Sequence, residues 1–340
     1  MGAILIRTST VATVTLALSA VCLGTPAHAD DDKLFTFKDS RITESSGLAV
    51  SPTHDGVYYT HNDSSAQPEF YAVGQDGRTR ATFRLRGAEA RDWEAMAVSK
   101  DPATGRATLW LADIGDNLDS AWPDISIYKV NEPADLADAT LPATRYRFRY
   151  AGGGRNAEGV MVNPVTGRLY VVSKELSGAV YAAPKKLRTG RPNVLRKIAS
   201  APIMATDAAY APDGSSYVVR TYFSATLYRP SGELIGRVPM PDLQQAESIA
   251  YTLDGKALLA GSEGPSSPVY RVPLPATALS SAPPATPARS EPPARPTAQG
   301  TRAAEPITEP ASLTGRDILI WLAAAAIAIG AITFLARRTR

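Results

Sequence analysis

The sequence predicts one all-β domain, about 30–275, between two end segments of different character. Three observations support this prediction. A repeat unit of short predicted strands and Gly-bearing turns occurs five times. The sequence between the two end segments lacks the periodicity of a long amphipathic helix. The longest uncharged apolar runs lie near the two ends of the chain. Repeated groups of short strands are typical of a sheet that is repeated around an axis.

Each repeat opens with an apolar strand, passes through a turn into a second strand, and continues into a third. The openings are SSGLAVS (45–51), WEAMAVS (93–99), AEGVMVN (157–163), TDAAYAP (206–212) and AESIAYT (246–252). A fourth strand follows four times, whereas LFTFKD (34–39) stands alone before the first repeat. We therefore expect a β-propeller of five blades, with six as the alternative, in which the N-terminal strand completes the last blade and hides the sheet edges.

The N-terminal segment, 1–29, is predicted to be a cleavable secretion signal. Arg7 precedes an apolar run over about 11–23, and Ala27-His28-Ala29 has the small-x-small cleavage pattern. Cys22 is the only cysteine. Cleavage would remove it, so cysteine chemistry is excluded from the mature protein.

The C-terminal segment is predicted to anchor the protein in the cell membrane. An uncharged apolar run from Ile318 to Ala336 lies in a predicted transmembrane helix, 317–336, and the basic tail 337–340 would stay in the cytoplasm. Residues 276–316, rich in Pro and Ala, predict a disordered stalk. We therefore expect the domain at the extracellular face of the membrane.

Attachment to the cell wall is the alternative. Ala311-Ser312-Leu313-Thr314-Gly315 resembles a cell-wall sorting signal in layout and in its Thr-Gly pair, although the first position lacks the expected Leu. Such a signal implies processing by a sortase near Thr314.

The basic balance of the chain belongs to its ends. The chain contains 36 Lys+Arg and 33 Asp+Glu. Setting aside Arg7 and the three arginines of 337–340 leaves 32 basic residues against the same 33 acidic ones. This balance argues against nucleic acid as a partner.

Acidic side chains collect at one face of the predicted propeller, where the loops before each first strand meet the loops after each second strand. The residues expected to bind a metal are Glu44, Glu94, Asp113, Asp116, Asn117, Glu158, Asp207 and Glu247. Those expected to contact a ligand are His61, Asn62, Asp63, Asp92, Lys174, Glu175, Arg220, Tyr222 and Glu263. Oxygen ligands favour a hard cation, Ca²⁺ first and Mg²⁺ second. The turns on the opposite face are ordinary Gly-bearing turns.

A structural role is the alternative for each of these side chains. Acids at strand starts also cap backbone N–H groups, and the Asp-Ile-Gly-Asp-Asn segment 113–117 can form Asx turns. Lys174 and Arg220 can pair with Glu175 and Asp207.

The motifs resemble the signature of a known family. Three motifs occur in the order Asn-Asp-Ser (62–64), Asp-Trp-Glu-Ala-Met-Ala (92–97) and Asp-Ile-Gly-Asp-Asn (113–117). This series resembles the one found in secreted bacterial propeller proteins of the WD40-like type. Ser65 stands where that family usually has Gly. The family is more loosely similar to phytase-type propellers, which implies an acidic channel mouth that holds calcium.

Two functions fit these features. The first is a surface module that binds a cationic or metal-bridged ligand at the acidic mouth. The second is a calcium-dependent hydrolase of phosphoesters or lactones, in which Lys174 and Arg220 would neutralise an anionic substrate. A Gly-x-Ser-x-Gly motif is absent from the sequence, and only His61 could serve a Ser-His-Asp triad.

Overall fold

The computed structural model describes residues 32–63, 67–101, 104–117 and 121–279, which all belong to one compact unit, Met1–Pro284. The described residues are almost entirely β-strand, so the all-β prediction is confirmed. The predicted signal, the stalk beyond 279, the transmembrane helix and the basic tail lie outside the described residues. Within the described part, no helix has the length and apolar character needed to cross a membrane.

The strands run in short antiparallel series. The N-terminal strand is β1 (Asp32–Thr36). The next series is β2 (Ser45–Val50), β3 (Val57–Asn62), β4 (Glu69–Gly74) and β5 (Thr79–Arg86). It is followed by β6 (Trp93–Lys100), β7 (Ala107–Asp113), β8 (Ile125–Asn131), β9 (Ala139–Pro142) and β10 (Thr144–Tyr150).

The second half of the domain repeats this plan. It contains β11 (Ala157–Val162), β12 (Leu169–Ser173), β13 (Ala179–Ala182) and β14 (Asn193–Ser200). Then come β15 (Ala205–Tyr210), β16 (Tyr217–Thr221), β17 (Ser224–Tyr228) and β18 (Leu234–Pro239). The last strands are β19 (Ile249–Tyr251), β20 (Ala257–Gly261) and β21 (Pro268–Pro273).

Four sheets result, in a propeller-like arrangement. Their strand orders are β2-β3-β4-β5-β9, β15-β16-β17-β18, β1-β21-β20-β19 and β11-β12-β13-β14-β10-β8-β7-β6. The eight-stranded sheet consists of two antiparallel series joined by the parallel pairing of β10 with β14. β1 pairs with β21, as the isolated N-terminal strand predicted. β9, which runs parallel to β5, was not predicted.

The first strand of each series lies at one end of its sheet and packs against first strands of other series. β2 lies against β6 and β19, β6 against β11, β11 against β15, and β15 against β19. These five strands therefore follow one another in a closed cycle around a central channel. Large side chains fill the spaces between neighbouring series, as where Ile127 and Trp110 pack in one cluster with Val160 and Val171.

A β-bulge occurs near the start of four of these first strands. The pairing register shifts there between Ser45 and Gly47, Trp93 and Ala95, Ala157 and Gly159, and Ala205 and Asp207. The residues in the bulges are Ser46, Glu94, Glu158 and Thr206.

The bulge in β15 corrects the predicted register of the fourth repeat. Thr206, and not Asp207, occupies the position of Glu94 and Glu158, because pairing with β16 places Asp207 opposite Arg220. Asp207 is fully buried, and its carboxylate accepts the N–H groups of Ala208 and Ile249 at 2.7 Å each.

The last described residues form one helical turn. A single helical turn, α1 (Ala276–Leu279), occupies the first residues of the predicted stalk. Ala278 packs against the apolar cluster that contains Val272 and Leu274. This contact holds the turn on the domain.

Candidate metal centre at the channel mouth

Bulged residues supply two carboxylates at the channel mouth. A bulge leaves its extra residue outside the ladder and re-aims its side chain. Glu94 and Glu158 sit in the bulges of β6 and β11, are each 2% exposed, and hydrogen-bond to each other. Glu247, which precedes β19, is similarly buried. The fold thus collects three glutamates from three strand series at the start of the first strands.

Three carboxylates converge more closely than the rest. One oxygen each from Asp63, Asp92 and Glu94 lies within 4.8 Å of the others. Asp63 directly follows β3, and Asp92 directly precedes β6. We call these three residues the carboxylate trio.

Gly115 makes room for the trio. A Cβ atom at this position would lie 2.3 Å from Asp92 Oδ2 and 2.3 Å from Glu94 Oε1. Any side chain would therefore displace both carboxylates. The neighbouring Asn117 amide lies 3.5 Å from Asp92 Oδ2.

The trio lies in a strongly electronegative part of the mouth. Burial, together with the charges of Glu158, Asp63 and Asp92, raises the pKa of Glu94. Burial, then the charges of Glu247, Asp63, Glu158 and Glu44, raises the pKa of Glu263 to about 8. Carboxylates crowded in this way either hold protons or bind a cation.

The opposite side of the mouth carries its own cation. Lys174 Nζ lies 3.0 Å from Glu158 Oε1 and 5.1 Å from the ring centre of Tyr222. Burial disfavours the Lys174 ammonium, but the charges of Glu158 and Glu247 outweigh this effect and raise its pKa. Tyr222 also hydrogen-bonds to Glu247. Here the negative charge is compensated within the protein.

The ion pair of Lys174 differs from the predicted alternative, whereas Arg220 lies opposite Asp207 as that alternative had it. Lys174 pairs with Glu158 rather than with Glu175, because Glu175 accepts a hydrogen bond of 3.1 Å from Arg155 Nη1. Arg155 lies in the loop before β11, and the sequence did not predict a role for it.

Arg220 lies deeper than the predicted ligand site. It is fully buried, and its Nη1 donates to the backbone carbonyl of Gly261 at 2.9 Å and to that of Ser248. Burial lowers the pKa of Arg220 to about 10, although Asp207 and Glu247 oppose this shift. Arg220 is therefore a buried counter-charge and is not placed to meet a ligand at the surface.

Two predicted metal ligands hold loops instead. Asp113 is fully buried; it accepts the N–H groups of Arg91 at 3.1 Å and Asp92 at 2.9 Å, and it pairs with Arg91 Nε at 3.0 Å. Asp116 accepts the N–H groups of Ala121 and Trp122. Both roles are structural, but the contacts reach residues outside the 113–117 segment and are not the Asx turns that were the alternative for it. The hydrogen bond from the Asp92 N–H to Asp113 positions Asp92 for the trio.

Asn117, Asn62 and Glu44 lie at the rim. Asn117 Oδ1 accepts a 2.8 Å hydrogen bond from Asn156. Asn62 Oδ1 accepts the N–H groups of Thr43 and Glu44 at 3.1 Å each, which fixes the start of β2. The Glu44 side chain contributes to the field around Glu263.

His61 lies below the mouth as a neutral core residue. It is fully buried, with its ring against the edge of Trp93 at 5.4 Å between centroids. Burial lowers the pKa of His61 to about 4, so the ring is uncharged at neutral pH. Gly47 leaves space for the ring, since a Cβ there would lie 2.4 Å from His61 Nε2.

Sequence reasoning missed Gly115 and Arg91. Gly115 stands between two acidic residues in the 113–117 segment, which was the available signal for a close backbone approach. Arg91 directly precedes Asp92, but nothing in its spacing marks Asp113 as its partner.

No protein-family model matches this chain, and no curated protein matches it. A solved gluconolactonase from Xanthomonas campestris is 17% identical over 68% of this chain and 72% of its own length, with a TM-score of 0.44. The structure of U3-55K is 12% identical over 70% of this chain and 98% of its own, with a TM-score of 0.38. The resemblance to secreted WD40-like propellers stays a prediction from the motifs.

Proposed function

We propose that this protein is a surface-displayed five-bladed propeller that binds Ca²⁺ at its channel mouth and uses the ion to hold a ligand. The convergence of the carboxylates of Asp63, Asp92 and Glu94 within 4.8 Å carries this proposal. Their oxygens match the ligand preference of a hard cation.

The carboxylate trio fits Ca²⁺ in number and setting. Ca²⁺ takes about six to eight oxygen ligands at about 2.3–2.6 Å, often with irregular geometry, whereas Mg²⁺ demands a near-ideal octahedron. Three carboxylates from two loops and a bulge form an irregular set, and Gly115 keeps the space beside two of them clear. Ca²⁺ is therefore the first choice and Mg²⁺ the second.

The ligand would complete the coordination of the ion. Three carboxylates fill only part of the shell of a Ca²⁺ ion, so oxygen atoms of a carboxylate, phosphate or sugar could enter from the solvent side. A cationic ligand bound directly by the same carboxylates is the alternative. Chelation by EDTA abolishes binding in the first case and leaves it intact in the second.

Thermal unfolding of the full chain, with CaCl₂ or with EDTA, tests the proposal. Ca²⁺ at a hundred times its Kd stabilises the folded state by about 2.7 kcal/mol. For a domain of this size the midpoint then rises by about 5–11 °C. Asp63→Asn and Glu94→Gln should abolish the rise, whereas Glu233→Gln, at an exposed acid outside the mouth, should keep it. No rise in the unsubstituted chain would refute the proposal.

Lys174 favours a second candidate function, a calcium-dependent hydrolase of lactones or phosphoesters. Its side chain is 15% exposed and pairs with Glu158, which in turn hydrogen-bonds to Glu94 of the trio. A bound Ca²⁺ would supply Lewis-acid polarisation of a carbonyl or phosphoryl oxygen. Lys174 would then offset negative charge on the substrate. Turnover that is lost in Lys174→Met while Ca²⁺ binding is kept would support the enzyme, and absence of turnover on both substrate classes would leave the binding module.

The closed cycle of first strands supports five blades. β2, β6, β11, β15 and β19 each begin one series, and β1 completes the series of β19. The parallel pair of β10 and β14 would then connect the outer strands of two blades.

The surface location rests on the ends of the sequence. The apolar run from Ile318 to Ala336 and the basic tail support a membrane anchor, and 311–315 supports wall attachment as the alternative. Fractionation of cells separates the two outcomes, because only a membrane anchor is extracted by detergent without digestion of the wall.

A further inference from the structure

The channel contains a cavity at the end opposite the acidic mouth. This cavity has a volume of about 390 Å³ and is lined by the later residues of the first strands and by the turns that follow them. These are the Gly-bearing turns opposite the acidic face, for which the sequence predicted no function. Leu48 and Met96 are buried in its wall, two residues beyond the bulge positions of Ser46 and Glu94.

The lining of the cavity is mostly apolar. Val50, Val98, Val162 and Leu253 contribute branched side chains. Lys100, which is exposed, is the one lining residue of the described chain that carries a charge. A cavity of this character is poor in water partners and accepts apolar groups.

Small residues at one level of the channel create the space. The pairing of first with second strands places alanine at the corresponding position of four first strands. These residues are Ala49, Ala97, Ala209 and Ala250. Ala97 and Ala209 are only half-buried although their strands surround the channel, because the cavity is open beside them.

Main-chain groups add polarity to this lining. Each first strand forms ladder hydrogen bonds on one side only, since it ends its sheet. Such an edge presents N–H and C=O groups to its surroundings. The edges of these strands face the channel, so a ligand there meets backbone donors and acceptors as well as apolar side chains.

We propose that this cavity binds a small amphiphile with an apolar body and one anionic head group, such as a medium-chain carboxylate. Ligand pockets have volumes of about 300–1,000 Å³, and the cavity falls within this range. The apolar lining would take the body, and Lys100 at the open end would attract the head. The site shares no side chain with the carboxylate trio, so its occupation does not require Ca²⁺.

Fluorescence titration of the full chain tests the proposal with two matched probes. 1-Anilinonaphthalene-8-sulfonate is anionic and N-phenyl-1-naphthylamine is neutral, and both should show one saturable site per chain that decanoate displaces. Ala97→Leu and Ala209→Leu, which fill the cavity, should weaken both probes about tenfold or more. Lys100→Gln should weaken the anionic probe by about two- to fivefold and leave the neutral one unchanged.

Two further variants keep the test decisive. Leu253→Ser alters a rim residue that is 49% exposed, so it should fold and still weaken both probes. Phe223→Ser removes the most exposed large apolar side chain among the described residues, 89% exposed in a loop near the acidic mouth, and should leave both titrations unchanged. Lack of a saturable site, or binding lost in Phe223→Ser but kept in the Ala97, Ala209 and Leu253 variants, would overturn the proposal. EDTA should leave probe binding unchanged, and a requirement for Ca²⁺ would also overturn it.

Discussion

Gly115→Ala should damage the metal centre without straining the backbone. The new Cβ would lie 2.3 Å from Asp92 Oδ2 and 2.3 Å from Glu94 Oε1. Gly115 does not have a positive φ, so alanine can adopt its backbone conformation. The substitution therefore acts on the two carboxylates.

The size of the effect follows from these distances. Each oxygen must retreat by about 1 Å to reach normal van der Waals contact. Ca²⁺–oxygen bonds are only about 2.3–2.6 Å long, so such a shift removes two ligands from the ion. We expect the Kd for Ca²⁺ to rise at least about tenfold, which is about 1.4 kcal/mol. Overpacking should cost the ion-free protein about 1–3 kcal/mol of unfolding free energy.

Calorimetric titration of the full chain with CaCl₂ measures this change. Gly190→Ala is the matched control, because the space around a Cβ at Gly190 is open to 4 Å and its φ is not positive. The control should bind Ca²⁺ like the unsubstituted chain. Gly115→Ala with unchanged affinity would show that the ion does not sit between Asp92 and Glu94.

Three other perturbations separate structural roles from binding roles. Glu158→Gln removes the carboxylate that pairs with Lys174 and should lower the unfolding free energy, measured in urea, by about 2 kcal/mol. The double variant Glu158→Gln/Lys174→Met should recover part of this loss. An unchanged unfolding free energy in the single variant would mean that the pair contributes nothing to stability. Asp113→Asn weakens the contacts with Arg91 and should cost about 2 kcal/mol while the Ca²⁺ stoichiometry stays the same, whereas a lost equivalent of Ca²⁺ at unchanged stability would make Asp113 a ligand. Burial lowers the pKa of His61 to about 4, so the unfolded chain binds this proton first. As pH drops from 6.5 towards 4, His61 therefore subtracts up to about 1.4 kcal/mol of stability per pH unit, while carboxylates with raised pKa, such as Glu263, act in the opposite sense. The difference in stability between His61→Gln and the unsubstituted chain should change by this amount over the interval, and equal slopes in both proteins would contradict the assignment.

The strand pattern was predictable because each repeat carries its own local signal. The isolated strand before the first repeat predicted the pairing of β1 with β21. β9 was not predictable in the same way. Its Ala-Thr-Leu-Pro sequence is short and partly exposed, and its parallel pairing with β5 depends on tertiary contacts.

The position of the acidic mouth was also predictable, but its internal pairing was not. Strand order alone brings Asp63, Asp92 and Glu94 to one face. A bulge shifts register by one residue without a mark in the sequence, which is why Asp207 was assigned the place that Thr206 occupies. Lys174 pairs with Glu158 on the adjacent strand and not with its chain neighbour Glu175, because strand pairing brings the Glu158 carboxylate to 3.0 Å from Lys174 Nζ.

A crystal structure of the protein soaked in CaCl₂ is the direct test of the metal centre. We expect an ion bound by oxygens of Asp63, Asp92 and Glu94 at about 2.3–2.6 Å, beside the main chain of Gly115. Carboxylates of the trio that remain without an ion at saturating CaCl₂, or an ion held elsewhere at the mouth, would contradict it.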